Sequence, residues 1–488
     1  MKSNKLKILL AAFEAEPFLK TGGLGDVAGS LPKALCAEGA QARLILPKFS
    51  SIPQKYLEKM KPVVRFETDL GWRRQYVGVD FLRVGGVTCY FIENDYYFGR
   101  GGAYGYEDDG ERVAFFSKAV LDALPHLKFK PDVLHCNDWH TALIPVLYRD
   151  RYENQPDWAG IKTVFTVHNL RFQGYCGWSF AGDVLGLTDE AARRLGLEYK
   201  GQVNFLRGAL HTSDLLTTVS PTYAGEIQTA FYGEGAEELF RARARDLVGI
   251  LNGIDVKSLD PAADKALCAK FSRDDRSGKV ICKTRLQEEL GLAVDPNVPL
   301  MVLISRLTEQ KGLDLLLRVM DELMAENCQL AILGTGYPQY EDAFRAAADR
   351  YPGKLAAALR FDGALSRRMY AGSDMALVPS LFEPCGLTQM MSMRYGSLPV
   401  VRETGGLKDS VKPYNQYTGE GNGFSFANFN AHELLFTLKD AIRLYHEDRA
   451  AWEKLVDQAM ETDFSWAASA RQYLALFSAL CGREIPEA

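Results

Sequence analysis

The pattern that most constrains this chain is one that plays twice: short, continuous apolar runs, each followed by a turn and a stretch with helical period. In the first half the runs fall at Lys7–Phe13, Ala42–Pro47, Asp132–Cys136, Thr163–His168 and Leu215–Ser220. Helical patterns fall between them at Asp26–Ala37, Glu111–Ala123, Thr141–Tyr148 and Pro221–Thr229. Apolar runs without polar alternation suit strands covered on both faces, as in a parallel sheet flanked by helices. Tyr76–Arg83 and Val87–Glu93, joined through Gly85-Gly86, add an antiparallel hairpin. The pattern then restarts at Pro299–Ser305, Gln329–Leu333, Ala357–Phe361, Met375–Pro379 and Leu398–Val401, with helices such as Leu313–Met324 and Tyr340–Tyr351. The expected fold class is α/β, with two Rossmann-like, doubly wound domains facing a central cleft. A length of 488 residues agrees, being too great for one hydrophobic core. The expected divisions are an N-terminal domain 1–255, a linker region 256–297, a C-terminal domain 298–462, and a final helical segment 463–488 that packs back on the N-terminal domain. The linker carries Pro261, Gly278, Pro296 and many charges, and reads as short helices.

In open α/β sheets, ligands bind outside the carboxyl ends of the strands, and the unusual motifs of this chain fall there. After the first strand comes Lys20-Thr21-Gly22-Gly23-Leu24-Gly25-Asp26-Val27, a glycine-rich loop opening a helix. Such a loop presents backbone N–H groups and a positive helix end to an anion, and Lys20 adds a full charge. Its spacing fits neither the dinucleotide fingerprint nor a Walker A loop, and a tight packing turn is the plain alternative. Further strand ends carry His168-Asn169-Leu170, then Ser305-Arg306 through Lys311-Gly312, then Phe382-Glu383-Pro384-Cys385-Gly386-Leu387, then Arg402 through Gly405-Gly406-Leu407. Arg306 and Lys311, around one strand-to-helix turn, suit a pyrophosphate: arginine for bidentate contact, lysine as a point charge. Glu383 could interact with a helix dipole. In a cleft it could instead hold sugar hydroxyls or stabilise positive charge developing on a sugar ring.

With 62 acidic and 57 basic residues the net charge is −5, which argues against a general nucleic-acid binder. No apolar stretch is long enough to span a bilayer, and the lysine-flanked N-terminal run reads as a first strand rather than a signal peptide. Nine scattered cysteines without a C-x-x-C pair point to reduced thiols and a cytoplasmic protein. His135 and His140 bracket Asn137-Asp138-Trp139, but five-residue spacing across a strand end suits a hydrogen-bonded loop as well as a metal, and no metal is assigned.

Lys20–Val27, Thr166–Leu170, Gly249–Asp255, Ser305–Gly312, Glu383–Gln389, Arg402–Leu407 and Asp463–Trp466, in that order over almost the whole chain, resemble the bacterial glycogen synthases and plastid starch synthases. That resemblance implies a retaining glucosyltransferase of the GT-B architecture. It would move glucose from ADP-glucose to the non-reducing 4-OH of an α-1,4-glucan, either glycogen or a malto-oligosaccharide, with no metal or other cofactor and no nucleic-acid or membrane partner. Carried over by motif, Lys20, Gly22 and Gly23 hold the donor's phosphate side, with Asn252 also on the donor. His168 lies near the glucose 6-OH, and Arg306 and Lys311 neutralise the diphosphate. Glu383 contacts the glucose hydroxyls beside the backbone of Cys385, Gly386 and Leu387. Glu14, Asp26, Asp138 and Asn169 fall to the cleft or acceptor side, and Tyr97 to stacking on a sugar. Many retaining relatives carry a second Glu eight residues after the first; here that position is Met391, as in family members with glucan acceptors. A two-carboxylate mechanism is thereby weakened. Same-face attack follows instead, with the leaving phosphate accepting the proton and the protein supplying charge and position.

Three other readings stay open on sequence. A UDP-glucose-using glucan synthase differs only in the base recognised. A glucan phosphorylase would need a PLP-binding lysine. A non-catalytic glucan-binding regulator predicts lost site residues, whereas His168, Arg306, Lys311 and Glu383 are present.

Overall fold

The apolar runs of the first half become strands β1 (Lys7–Ala11), β2 (Gln41–Pro47), β3 (Lys61–Leu70), β4 (Arg73–Val84), β5 (Val87–Glu93), β6 (Val133–Asn137) and β7 (Lys162–Val167). A small antiparallel sheet follows, β8 (Tyr175–Gly177), β9 (Glu198–Tyr199) and β10 (Gln202–Asn204), before β11 (Leu215–Thr218) and β12 (Leu247–Gly249). The structure, a computed structural model, describes residues 5–483. The chain forms two units: one holds everything up to Gly253 together with the segment from Trp466, the other is Ile254–Ser465.

The large sheet of the first unit has the order β12-β11-β7-β6-β1-β2-β5-β4-β3. It is parallel except where β4 runs antiparallel to β3 and β5. β6 is buried at every position and β1 at all but its first, as strands sandwiched by helices must be. β3 went unread in the sequence because it is an edge strand: its charged residues face solvent and only Thr68 and Leu70 are buried. The helix Trp466–Leu480 folds with this unit and packs on the helix Gly23–Ala37. Its Tyr473 and Phe477 rings lie 5.5 and 5.4 Å from the imidazole of His135.

In the second unit, β13 (Leu300–Ile304), β14 (Gln329–Leu333), β15 (Leu355–Ala358), β16 (Met375–Val378), β17 (Leu398–Arg402) and β18 (Phe424–Phe426) form a sheet of order β15-β14-β13-β16-β17-β18. All of its pairings are parallel. Three local features differ from the sequence reading. The third strand sits earlier than Ala357–Phe361, because Leu355–Ala358 pairs with β14 and Asp362 then caps the next helix, leaving Phe361 93% exposed. The helical pattern Leu313–Met324 breaks at Val319 into Leu313–Arg318 and Met320–Met324. Residues 256–297 lie wholly within this unit and include a continuous helix, Ser277–Leu290. That helix buries Lys283 and Gln287 beside Cys282 and Leu286, so it shows little amphipathic signature. The buried polar groups are satisfied: Lys283 pairs with Asp374 at 2.7 Å, and Gln287 Nε2 donates to the Asp295 carbonyl.

Both sheets have a switch point where the strand order reverses. In the first unit it lies between β1 and β6, in the second between β13 and β16. A crevice outside the carboxyl ends of those strand pairs is the default ligand position.

Candidate active site

At the first switch point β1 runs into Phe13 and Glu14, and β6 into Asn137 and Asp138. Glu14 is buried, and its carboxylate organises the glycine-rich loop. Oε2 accepts from the Thr21 backbone N–H at 2.7 Å and the Thr21 hydroxyl at 2.5 Å, and Oε1 from Gly25 N–H at 3.1 Å. Burial raises its pKa, and those hydrogen bonds oppose the rise. Lys20 is not a bare cation: its Nζ lies 2.5 Å from Asp26 and 3.6 Å from Glu16. Burial alone would lower the Lys20 pKa, but the hydrogen bond and charge of Asp26 raise it. Gly22 and Gly23 are exposed, and nothing approaches Gly23 within 4 Å of where a Cβ would stand.

Asp138 has φ 57° and ψ 178°, a region almost reserved for glycine. The strained turn aims its Oδ1 at the His168 N–H, 2.7 Å away, and the Asn169 N–H, 3.4 Å away. Burial pushes Asp138 up to about 7, against those bonds. Asn169 Oδ1 accepts from Arg171 N–H at 3.1 Å and so shapes the turn itself. His168 Nε2 stands 2.9 Å from Asn137 Oδ1. The Asn137 amide nitrogen donates to the carbonyls of Ala11 and His135, which fixes its oxygen as an acceptor. His168 therefore carries its proton on Nε2 and keeps the Nδ1 lone pair for a hydroxyl donor. Burial lowers its pKa to about 3, so it stays neutral.

Two residues gain meaning only from the structure. Tyr104, not singled out in the sequence, stacks on Phe13 and lies 4.7 Å from the ring of His140, within the field of Glu14 and Asp138. Tyr97, expected to stack on a sugar, is fully buried: its ring packs on Phe115 and its hydroxyl donates to Glu111 at 2.6 Å. The exposed ring there is the neighbouring Tyr96. Tyr96 and Tyr97 lie on the one-turn helix Asp95–Phe98, too short for a periodicity that would tell the buried ring from the exposed one, and Tyr104 lies in the loop beyond it. Asn252 is buried with its Oδ1 unbonded, an acceptor held without a protein donor.

At the second switch point Lys311 Nζ lies 2.6 Å from Glu383 Oε2, which also accepts from the Ser380 hydroxyl at 2.8 Å. Among the described residues, Glu383 Oε1 has no partner, so one oxygen is anchored and the other is left for a ligand. Arg306 is exposed and its guanidinium bonds to nothing among the described residues. Three glycine contacts hold this rim. Gly312, at φ 66°, places a would-be Cβ 2.0 Å from the Pro379 carbonyl oxygen. At Gly405, φ 44°, the clash would be 2.0 Å from the Glu383 carbonyl oxygen, and at Gly406 it would be 2.1 Å from that of Cys385. Gly406 N–H donates to the Glu383 and Pro384 carbonyls at 3.2 and 3.1 Å. Cys385 is buried, Gly386 takes φ 70°, and Leu387 caps the helix Thr388–Arg394, in which Met391 lies. Gln389 clamps the turn by donating to the carbonyls of Cys385 and Gly386. Among the described residues no cluster of three or more His, Cys, Asp or Glu is arranged to hold a metal. No helix among them is long and apolar enough to cross a membrane.

The family model for the starch synthase catalytic domain matches residues 7–242, and that for glycosyl transferases group 1 matches 284–458. The glycogen synthase of Desulforamulus reducens is 49% identical over 475 residues, spanning 97% of this chain and 99% of that one. The chain belongs to the glycogen synthase family. It is a glycosyltransferase of the two-domain GT-B class. The glycogen synthase of Geobacillus stearothermophilus is likewise 49% identical, over 98% of this chain and 99% of its own. Among solved structures, the catalytic domain of starch synthase IV from Arabidopsis thaliana, bound to ADP and acarbose, superposes with a TM-score of 0.89 at 35% identity, covering 98% of this chain and 100% of that one. Sucrose-phosphate synthase from Thermosynechococcus elongatus, at 16% identity and TM-score 0.60 over 98% of this chain and 100% of that one, shares the fold.

Proposed function

We propose that this glycosyltransferase extends an α-1,4-glucan, glycogen or a malto-oligosaccharide, at its non-reducing 4-OH end, taking glucose from ADP-glucose with retention at the anomeric carbon. The observation that carries the reading is the charge arrangement at the β13/β16 switch point: a free Arg306 beside a Lys311 whose partner, Glu383, keeps one oxygen unbonded. Arg306 and Lys311 meet the diphosphate, where negative charge grows as the glycosidic bond breaks. Glu383 Oε1 accepts from glucose hydroxyls, and the backbone of Cys385, Gly386 and Leu387 lines the same rim. The Arabidopsis starch synthase holding ADP and acarbose supports a nucleotide diphosphate and a glucan as the ligand classes.

In the first unit, His168 Nδ1 accepts from the glucose 6-OH, Asn252 Oδ1 accepts from the donor, and Lys20, with the Gly22-Gly23 backbone, serves the phosphate side. Asp26 holds Lys20, while Glu14, Asp138 and Asn169 position the loops around it. No second carboxylate stands at Met391, so the departing phosphate takes the acceptor's proton and the protein supplies charge and position. Nine free thiols fit a cytoplasmic setting. The test is a panel of ADP-, UDP- and GDP-glucose with glycogen as primer. The highest kcat/KM is expected with ADP-glucose; a higher value with UDP-glucose overturns the donor, and no transfer from any of the three overturns the reading.

A further inference from the structure

Between Asn252 and Arg306 in the chain, two sulfurs of the second unit touch. Cys268 Sγ lies 3.8 Å from Cys282 Sγ. Of the nine cysteines Cys268 alone is exposed, whereas Cys282 is buried on the helix Ser277–Leu290. The chain between them turns back at Ser272–Asp275, where Ser272 N–H donates to the Asp275 carbonyl at 2.9 Å. The strap 264–271 is thereby laid beside that helix. The Cys282 thiol donates to the Ala269 carbonyl at 3.3 Å and so points into the strap.

Both sides of the contact are held. On the strap, the buried Asp264 carboxylate accepts from the Tyr395 hydroxyl at 2.5 Å and from Arg367 at 3.3 Å. On the helix, Arg276 pairs with Glu453 at 2.7 Å, and Leu286 is buried in the core. The two sulfurs therefore meet through fixed backbone rather than through a loose loop.

We propose that Cys268 and Cys282 form a reversible dithiol–disulfide pair, oxidised by exchange with a small-molecule disulfide. The Cys268 thiolate attacks one sulfur of that disulfide and expels the first thiolate, leaving a mixed disulfide on Cys268. The Cys282 thiol then gives up its proton and attacks Cys268 Sγ, expelling the second. Two cysteine thiols are oxidised, one external disulfide is reduced to two thiols, and both protons leave with those thiols. Burial raises the Cys282 pKa, which makes the exposed Cys268 the entry point and Cys282 the resolving group. In a reducing compartment such a bond is transient, the form that redox sensing takes. Once closed, it ties the strap carrying Asp264 to the helix and restricts the unfolded chain.

The test incubates the intact protein with glutathione disulfide, then measures mass, maps tryptic peptides and follows thermal melting. Lys270, Arg273, Arg276 and Lys279 all lie between the two cysteines, so a linked peptide pair is diagnostic. The expected result is loss of two hydrogens, a Cys268–Cys282 link, and a raised melting temperature, all reversed by dithiothreitol. Cys282→Ser is expected to stop at a glutathione adduct on Cys268, and Cys268→Ser to show neither link nor shift, with turnover unchanged in both reduced variants. Glutathione retained on Cys268 of the unsubstituted protein, or linkage of other cysteines before this pair, overturns the proposal.

Discussion

Removing one member of the Lys311–Glu383 pair should do two separable things. The charged atoms lie 2.6 Å apart, and the two side chains are only 16% and 12% exposed. Breaking a buried pair on one side costs about 3–5 kcal/mol because the other charge is stranded, whereas exposed pairs are worth about 0–1 kcal/mol. The residual exposure discounts the buried figure, so Glu383→Ala or Lys311→Met should destabilise the second unit by about 2–3 kcal/mol. The double variant, with no stranded charge, should recover about 1–2 kcal/mol of the summed loss as coupling between neighbours. Turnover should behave otherwise: each single change lowers kcat by roughly 10²–10³, and the double variant regains none of it. The assay is urea unfolding with a probe placed in the second unit, since two units need not unfold together, alongside kcat on the same preparations. Single variants within about 0.5 kcal/mol of the parent would show the pair behaving like a surface one. Regained turnover in the double variant would remove both residues from the chemistry.

Arg306 bonds to nothing among the described residues, so Arg306→Ala should leave stability within about 0.5 kcal/mol of the parent while kcat/KM for the donor falls by roughly 10² or more. Denaturation with steady-state kinetics checks this, and a marked stability loss with activity retained refutes it. Gly405→Ala should destabilise by about 1–3 kcal/mol, since the added Cβ would meet the Glu383 carbonyl at 2.0 Å with φ at 44°; an unchanged melting temperature with full turnover counts against that account. His140 is buried neutral against Phe13, its pKa lowered by burial to about 3. The unfolded chain therefore binds its proton first as pH falls through the ordinary histidine range, and stability is lost on acidification. Between pH 7 and pH 5 one such group costs about 2 kcal/mol, so His140→Phe should shrink the acid loss of the first unit by that amount, and an unchanged slope in urea unfolding at the two pH values would be the refutation.

Strand ends were legible in the sequence because a strand buried on both faces must read as an apolar run, and the break in the run marks where the backbone reaches the rim. Arg306, Lys311 and Glu383 stand at such breaks, and the strand order brings them to one switch point. Partners were not legible. Nothing in the spacing of Lys20 and Asp26 shows that they pair, or that Glu14 turns back to hold Thr21 and Gly25. The helix Ser277–Leu290 was hidden for a related reason: it buries a lysine and a glutamine whose partners lie elsewhere in the chain. Hydrophobic pattern reports apolar burial, and a satisfied polar group inside a fold leaves no trace in it.

The two glycine turns, alike in sequence, differ in what their charge leaves over. In the first unit the N–H groups of Thr21 and Gly25 already hold the Glu14 carboxylate, and Lys20 already faces Asp26. That loop comes with its own anion, and a phosphate would compete with carboxylates for both its donors and its lysine. In the second unit the glycines at 405 and 406 pack against the Glu383–Cys385 backbone, and Lys311 is held by Glu383 while Arg306 is left unpaired. On the proposed reading, a guanidinium without a protein partner needs no ion pair broken before it meets the diphosphate, and only its own desolvation offsets the Coulomb gain. Arg306 on that reading therefore meets the diphosphate as an unpaired cation, whereas Lys20 reaches the phosphate side only by exchanging Asp26 for it, beside the exposed backbone of Gly22 and Gly23.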